Sequence, residues 1–228
     1  TTAFPNKKAD FPSNPEARLD SAQMKCNPIA DANIPYRNLS SPVTKAKSIG
    51  QLIDSLDVSS SIRSQRTEED TYCNVYAYDF CHFCKVYLPT VWWTENALEK
   101  LATGQEVEAI YGNTVDRIYS SAIHDWFIEW GADFGWERIF DVDELQKRVN
   151  ANGGVGIICA KKKKKGLSGH IVPVVPETNS HKAFRENGVV VYPLQSQAGK
   201  TNYNYFSEVK KDWWNDELYS SYVLYYQD

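Results

Sequence analysis

The sequence lacks a long hydrophobic run and any strong excess of charge of one sign. No segment approaches the ~18 apolar residues that a membrane helix needs, so no membrane span is expected. The 25 basic and 29 acidic residues give a formal net charge of −4, which offers no general attraction for nucleic acid. With 12 Gly and 10 Pro, the composition does not fit a fibre or a disordered linker. The start of the chain shows no signal-peptide pattern.

The 228 residues, 42% of them hydrophobic, are enough for one large domain. Six prolines punctuate residues 1–47, which are polar and predict an extended arm. A short helix is expected over 48–57, where apolar residues recur at helical spacing. We therefore divide the chain into an N-terminal arm with a short helix, 1–65, and a catalytic domain, 66–228.

The remaining pattern predicts an α+β fold, with helices first and an antiparallel meander after them. Apolar spacing and capping residues indicate helices before residue 152, and short β-branched runs indicate strands after it. The predicted helices cover 73–87, 94–102, 114–130 and 141–151, and the predicted strands cover 155–159, 169–175 and 188–192.

Cys73 and His170 are the two residues to which we assign chemistry. A thiol is a weak nucleophile until it loses its proton, and the N-terminus of a helix favours the anion. Cys73 begins the helix predicted at 73–87, and His170 opens a strand directly after Ser168-Gly169. An imidazole fixed at the start of a strand could take the thiol proton and later give it to a leaving amine.

The segments "TYCNVYAYDF" (71–80) and "SGHIVPVVPE" (168–177) resemble the NlpC/P60 and CHAP group of papain-like cysteine peptidases. The segments "WGADFGWERI" (130–139) and "PLQSQAGKTNYNYF" (193–206) are similar to a bacterial and phage branch of that group. The resemblance spans about residues 70–225. It implies a papain-like fold whose nucleophile begins a helix packed on an antiparallel sheet. Most such enzymes are peptidoglycan amidases or endopeptidases.

The resemblance also implies a third polar residue that orients the histidine. Gln197 is the preferred candidate because it lies in the "QAG" piece, and Gln195 faces the same side of a continuous strand. Glu177 is the rival, since a carboxylate stabilises an imidazolium better than an amide does. It lies seven residues after His170 on the same strand, which is ~23 Å when extended. The backbone N–H of Cys73 would meet the oxyanion, in a hole that Tyr72 or Asn74 could help to shape.

Other residues have structural interpretations beside functional ones. Cys81-His82-Phe83-Cys84 invites a zinc or redox site, but a structural zinc needs four ligands and a thioredoxin-like motif needs a βαβ context. Buried thiols or disulfides are the preferred interpretation, with Cys26 and Cys159 as the obvious mates. His124 is expected to be structural. The lysines 161–165 are expected to form a solvated hairpin tip. The pairs Trp92-Trp93 and Trp213-Trp214 are expected to pack in the core or to stack on sugars.

The sequence therefore predicts a peptidoglycan hydrolase that forms a thioester on Cys73 and needs no metal or other cofactor. It would be a phage lysin, a wall-remodelling enzyme or an antibacterial effector that is secreted or delivered to the periplasm or cell wall. An inhibitor or immunity protein is a further partner to expect. Two alternatives stay open: a thiol-dependent acyltransferase, transglutaminase or deamidase acting on a protein, and a non-enzymatic glycan-binding module.

Overall fold

The computed structural model describes residues 8–9, 25–209 and 212–228. Residues 1–7 and 10–24 of the predicted arm lie outside the described residues. The described α-helices are α1 (Pro42–Leu56), α2 (Cys73–Phe83), α3 (Glu95–Ala102), α4 (Ser120–Trp130) and α5 (Val142–Asn152). The strands are β1 (Val91–Trp93), β2 (Val115–Arg117), β3 (Glu137–Ile139), β4 (Val155–Lys162), β5 (His170–Val174), β6 (Phe184–Glu186), β7 (Val189–Tyr192), β8 (Gln195–Gln197), β9 (Tyr203–Phe206) and β10 (Tyr219–Gln227). The chain is thus α+β, with helices and an antiparallel sheet.

A six-stranded antiparallel sheet organises the fold, in the order β3-β10-β4-β5-β8-β9. Side chains alternate between its faces. On β4, Ile157 and Cys159 join one core cluster, and Ile158 and Ala160 join another. The first cluster also contains apolar residues of α2 and α4. The second contains Leu145 and Val149 of α5. The sheet therefore separates a face covered by α2 and α4 from a face covered by α5.

The described part of the N-terminal region packs into this same body. Ile49, Leu52 and Ile53 of α1 belong to the first core cluster. The buried Arg63 guanidinium donates to both carboxylate oxygens of Asp79 on α2, at 2.8 and 3.1 Å. Arg37 is also buried and donates to the carbonyl of Cys84 at 2.9 Å. Residues 25–65 thus share a core with the remainder of the described chain, and the division near residue 66 stays a prediction.

Two helix predictions were wrong at their boundaries for reasons of local geometry. The helix predicted over 48–57 begins at Pro42, whose fixed φ suits a first helical position, and Ser41 caps it by accepting from the Thr44 N–H at 3.2 Å. The helix predicted over 73–87 ends at Phe83. There Lys85 adopts φ +62°, and the N–H groups of Lys85 and Val86 return to the carbonyls of His82 and Cys81 in a Schellman motif.

The helix predicted over 114–130 proved to be a strand followed by a helix. Val115 packs in a third cluster with Val91 and Trp93, because β2 pairs with β1. The helix begins only at Ser120, after an extended Tyr119. The predicted helices at 94–102 and 141–151 were confirmed to within one residue. Thr94 and Asp141 cap them by accepting from N–H groups three residues on, at 3.3 and 2.9 Å.

The predicted meander would pair residues 188–192 with the strand at 169–175, and this pairing was wrong. Strand β7 pairs with β6 in a separate two-stranded sheet, whereas β8 lies beside β5, with Val174 opposite Gln195. Asn187 with φ +51° and Gly188 with φ +80° form a tight turn, which folds β7 back onto the strand just before it. The predicted strands at 155–159 and 169–175 are present as β4 and β5, and β4 continues to Lys162.

Candidate active site

Cys73 lies where the N-termini of two helices meet. It is the first residue of α2, is 1% exposed, and has its Sγ 3.2 Å from the Oγ of Ser120. Ser120 is in turn the first residue of α4. Unpaired N–H groups and aligned peptide dipoles make each helix N-terminus favourable to an anion. Both helices can therefore contribute to stabilising a thiolate at this position.

Burial and hydrogen bonding act in opposite directions on the Cys73 thiol. Burial raises its pKa, because a thiolate is disfavoured away from water. Hydrogen bonds from Ser120 and from the backbone N–H groups of Ile171 and Asn74 lower the pKa, and the charge of Asp70 raises it. The balance is a pKa above the ordinary thiol value. The resting group is therefore a protonated thiol that needs a base.

The imidazole of His170 is held by Gln197. Its Nε2 lies 2.8 Å from the amide oxygen of Gln197, and the Gln197 Nε2 donates to the carbonyl of Thr201 at 2.9 Å. This second bond orients the amide so that its oxygen, which can only accept, faces the ring. Nε2 of a neutral His170 therefore bears the proton and Nδ1 has the lone pair. The Trp213 ring packs edge-on against the imidazole, with centroids 4.5 Å apart.

Cys73 contacts β5 through the backbone N–H of Ile171, the residue directly after His170. The sulfur accepts from the N–H of Ile171, and the Cα atoms of His170 and Ile171 are about 3.8 Å apart, as in any trans peptide. The Ile171 side chain shares the core cluster of Cys73, while Trp213 packs on the opposite cluster. Among the described residues, Ser120, Ile171 and Asn74 supply the hydrogen bonds to this sulfur. His170 is not one of them, so the catalytic pairing stays a prediction.

Gln195 and Glu177, the alternatives to Gln197, form hydrogen bonds with other side chains. The Gln195 Oε1 accepts from the Trp213 indole N–H at 2.8 Å. The Glu177 carboxylate accepts from Arg185 at 2.6 and 2.7 Å and from Asn150 at 2.6 Å. Burial by itself would raise the pKa of Glu177, but these bonds and one from the Ala183 N–H outweigh it and lower the pKa to about 2. Gln197, the preferred candidate, thus has a hydrogen bond to His170.

A cavity of about 720 Å³ opens beside these residues. Its wall includes Asp70 and Thr71, which precede Cys73, and Ser168, which precedes His170. Lys200 also lines it and follows Gly199, where an added Cβ would stand 3.4 Å from Cε1 of the imidazole. The segments that supply the candidate nucleophile, its proposed base and the partner of that base thus also supply the wall. A cavity of this size can hold a short peptide.

The remaining cysteines are structural. All five cysteines of the chain lie within the described residues and are buried free thiols, so the disulfide alternative is not realised. Burial raises the pKa of Cys84 to about 12 and keeps Cys81 protonated as well. Across the described ranges, His, Cys, Asp and Glu do not gather in any group of three or more that could hold a metal ion.

The other sequence candidates are also engaged within the protein. The His124 ring nitrogens lie 2.9 Å from the Asp125 carboxylate and 3.0 Å from the Ser221 hydroxyl. Trp93 and Trp214 are buried, and Trp92 packs against Trp126 and Trp130. Lys161 and Lys162 end β4, and the exposed lysines 163–165 form the predicted tip.

Ser120 is the site residue that the sequence reasoning missed. A helix running through 114–130 would have placed it in a helix interior. The pair Ser120-Ser121 lies directly before the apolar residues that recur at helical spacing from Ala122 onward, which is a helix-start signal that would have identified a second N-terminus. Its proximity to Cys73, 47 residues away in the chain, had no signal in the sequence.

Comparison of the chain with protein-family models, curated proteins and solved structures gave no match. Within the described ranges, no helix combines the length and the apolar character required to cross a bilayer.

Proposed function

We propose that the protein is a papain-like, cysteine-dependent hydrolase that cleaves an amide bond in peptidoglycan. The observation that carries the proposal is that the chain segments next to Cys73, His170 and Gln197 line one cavity. A thiol at a helix N-terminus and an imidazole oriented by an amide are the parts of a nucleophile–base–orienter arrangement. The choice of peptidoglycan rests on the resemblance of residues 71–80 and 168–177 to NlpC/P60 and CHAP peptidases.

The proposed reaction proceeds through a thioester. Nδ1 of His170 takes the Cys73 proton as the sulfur attacks the amide carbonyl, which requires the ring to come within hydrogen-bond reach of the sulfur. The Cys73 N–H, which has no intrahelical acceptor at the first helical position, donates to the oxyanion. Collapse breaks the C–N bond, and the amine leaves with the proton from His170. Water, deprotonated by His170, then cleaves the thioester to release a carboxylic acid and restore the thiol.

The decisive experiment treats purified muropeptides with the wild-type protein and with Cys73→Ala, followed by mass spectrometry. We expect the wild type to generate a free amine, with the fragments together gaining the mass of one water. Cys73→Ala should yield no product. Cys84→Ala is a matched control, because it removes another buried thiol near the end of the same helix. Undiminished cleavage by Cys73→Ala would refute the assignment of the nucleophile.

A thiol acyltransferase is the second candidate, and the burial of Cys73 favours it. A thioester formed at a 1% exposed position is shielded from water, so an amine acceptor could compete with hydrolysis. Adding a primary amine to the reaction separates the two functions. An amide conjugate as the main product supports transfer, and a free acid supports hydrolysis. If Cys73→Ala retained the full biological effect, both enzymatic functions would be refuted. A glycan-binding module would then be the supported function.

For the biological setting, we propose action at the cell wall, as a phage-type lysin or as an antibacterial effector delivered to the periplasm. A protein inhibitor made by the producing cell would be the partner of such an effector. Expression of the chain with and without a periplasmic export signal tests this setting. Lysis that depends on both export and Cys73 supports it, and toxicity without export contradicts it.

A further inference from the structure

The cavity beside Cys73 and His170 is lined by six charged side chains whose signs are divided between chain segments. The segment 66–71 contributes one guanidinium and three carboxylates, a formal charge of −2, and the other lining segments contribute two ammonium groups, a charge of +2. The formal charge of the lining is therefore zero. The six residues are Arg66, Glu68, Glu69, Asp70, Lys162 and Lys200.

The acidic segment is fixed by its own hydrogen bonds. The Thr67 N–H donates to the Asp70 carbonyl at 2.9 Å, and the Asp70 N–H donates to the Thr67 hydroxyl at 3.0 Å. One Asp70 carboxylate oxygen accepts from the Thr71 N–H at 2.9 Å, and the other lies 3.5 Å from the Arg117 guanidinium. The backbone that carries Glu68 and Glu69, and the Asp70 carboxylate, are thus held in position shortly before Cys73.

The two lysines extend from backbone that is anchored as well. The Lys162 N–H donates to the Ser121 hydroxyl at 3.2 Å, and that hydroxyl donates to the Leu167 carbonyl at 2.9 Å. Gly169 completes this close packing, because a Cβ there would stand 1.9 Å from the Ala160 carbonyl oxygen.

Lys200 lies in a turn closed by Asn202, whose side chain accepts from the Gly199 N–H at 2.9 Å. The same Asn202 amide donates to the carbonyls of Val58 and Ser64 at 3.1 and 2.9 Å. The backbone that carries Lys162 and Lys200 is therefore anchored on both sides of the cavity wall they contribute.

We infer that this cavity binds a short peptide that has both a free ammonium group and a free carboxylate. A lining of zero net charge exerts little long-range pull on a polyanion, whereas charges of both signs on different segments complement a ligand that carries both charges. The ammonium group would lie against Glu68 and Glu69, and the carboxylate against Lys162 and Lys200. The inference rests on the proposed function, since it names the kind of amide substrate that the same site would accept.

The test measures binding to the full-length Cys73→Ala protein, which cannot turn the ligand over. The probes are four forms of the peptide Ala-Ala-Gln-Ala: with free ends, N-acetylated, C-amidated, and blocked at both ends. We expect the free peptide to bind most tightly and each single block to weaken binding about tenfold, which corresponds to about 1.4 kcal/mol. High salt should reduce these differences, because screening weakens exposed charge pairs.

Two double variants test which side chains recognise each charged end of the peptide. Lys162→Gln with Lys200→Gln should remove the preference for a free carboxylate and keep the preference for a free amine. Glu68→Gln with Glu69→Gln should do the reverse. Lys163→Gln with Lys164→Gln is the matched control, because these lysines are exposed on the same hairpin and do not line the cavity. The control should bind all four peptides as the parent does, and thermal unfolding should show that every variant is folded.

Equal binding of the four peptides, no binding of any, or tighter binding of poly-glutamate would each overturn the inference. The proposed function fails separately, through the absence of muropeptide cleavage by the wild type. Selective binding without cleavage would keep the charge-based recognition and refute the hydrolase. Cleavage without charge selectivity would keep the hydrolase and refute the recognition.

Discussion

The surroundings of Cys73 and of His170 differ in polarity and in access to water. Cys73 is enclosed among apolar residues of α2, β4 and β5, and its hydrogen-bond donors are one hydroxyl and two backbone N–H groups. His170 is half-buried and lies between an amide and an indole ring. The sulfur is thus in a dry position, and the imidazole is partly exposed to water.

This difference suggests which catalytic role the Cys73 thiol and the His170 imidazole each have. A protonated thiol in a dry position does not ionise by itself, so the base must remove its proton during attack. Fixed donors around the sulfur then stabilise the charge that appears, at no cost of reorientation. The comparison leads to four predictions, in order of decreasing effect.

Replacing His170 should have the largest effect. His170→Ala removes the proposed base, and we expect kcat for muropeptide cleavage to fall by about 10³-fold or more, with the fold retained because the residue is half-buried at the start of a strand. His181→Ala is the control, since His181 is exposed and stacks on Tyr205 at 4.0 Å. Equal loss in both variants would break the assignment.

Gln197→Leu should have an intermediate effect by removing the acceptor of the His170 Nε2–H. Loss of this hydrogen bond weakens the orientation of the ring, and we expect kcat to fall about 10- to 100-fold with little change in KM. Gln197→Glu retains an acceptor at this position and should recover part of the rate. Recovery by Glu distinguishes orientation of the imidazole from general damage to β8, which both substitutions would cause alike.

Ser120→Ala should weaken the stabilisation of the thiolate. Loss of the hydroxyl raises the Cys73 pKa further, and we expect alkylation of this thiol by iodoacetamide at pH 8 to slow about tenfold, as for one pKa unit. Ser55→Ala is the control, because Ser55 lies on the exposed side of α1. This readout needs no substrate, so it tests the surroundings of the sulfur whatever the enzyme cleaves. An unchanged alkylation rate would show that the Ser120 hydroxyl does not stabilise the thiolate.

Alkaline pH should lower the free energy of unfolding, and the expected loss for each thiol is small. Burial raises the pKa of all five thiols in the folded protein, so the unfolded chain loses protons first as pH rises. Stability is therefore complete below the unfolded thiol pKa near ~8.5 and declines above it, by about 1 kcal/mol per thiol at pH 9.5. Urea unfolding at pH 7 and at pH 9.5 measures this decline, and equal midpoints would contradict it.

Elements with chemical start and stop signals could be predicted from the sequence. Thr94 and Asp141 begin helices by capping, and Gly153 ends α5 with φ +63°. By contrast, α2 ends with a lysine in the left-handed conformation, a position where the sequence offers no glycine to mark the stop. The interruption before Ser120 was missed because Val115 and Ile118 happen to fit a helical period.

The residues of the candidate site also differ in whether a local sequence signal predicts them. Cys73 at a helix start and His170 at a strand start followed from local patterns, and Gln197 was chosen from a resemblance that gave the correct contact through an incorrect pairing. The sheet joins β8 rather than β7 to β5. Strand order depends on how distant segments share the core, which periodicity within one segment does not report.

By itself the sequence determined the α+β class, a cysteine at the first turn of a helix and a histidine at the first residue of a strand, because caps, turns and periodicity act over a few residues. Only the tertiary structure decided that Ser120 approaches the sulfur, that Gln197 rather than Glu177 holds the imidazole, and that opposite charges share one cavity. Those contacts join residues 27 to 47 or more positions apart. They form because burying both faces of the sheet brings the segments together.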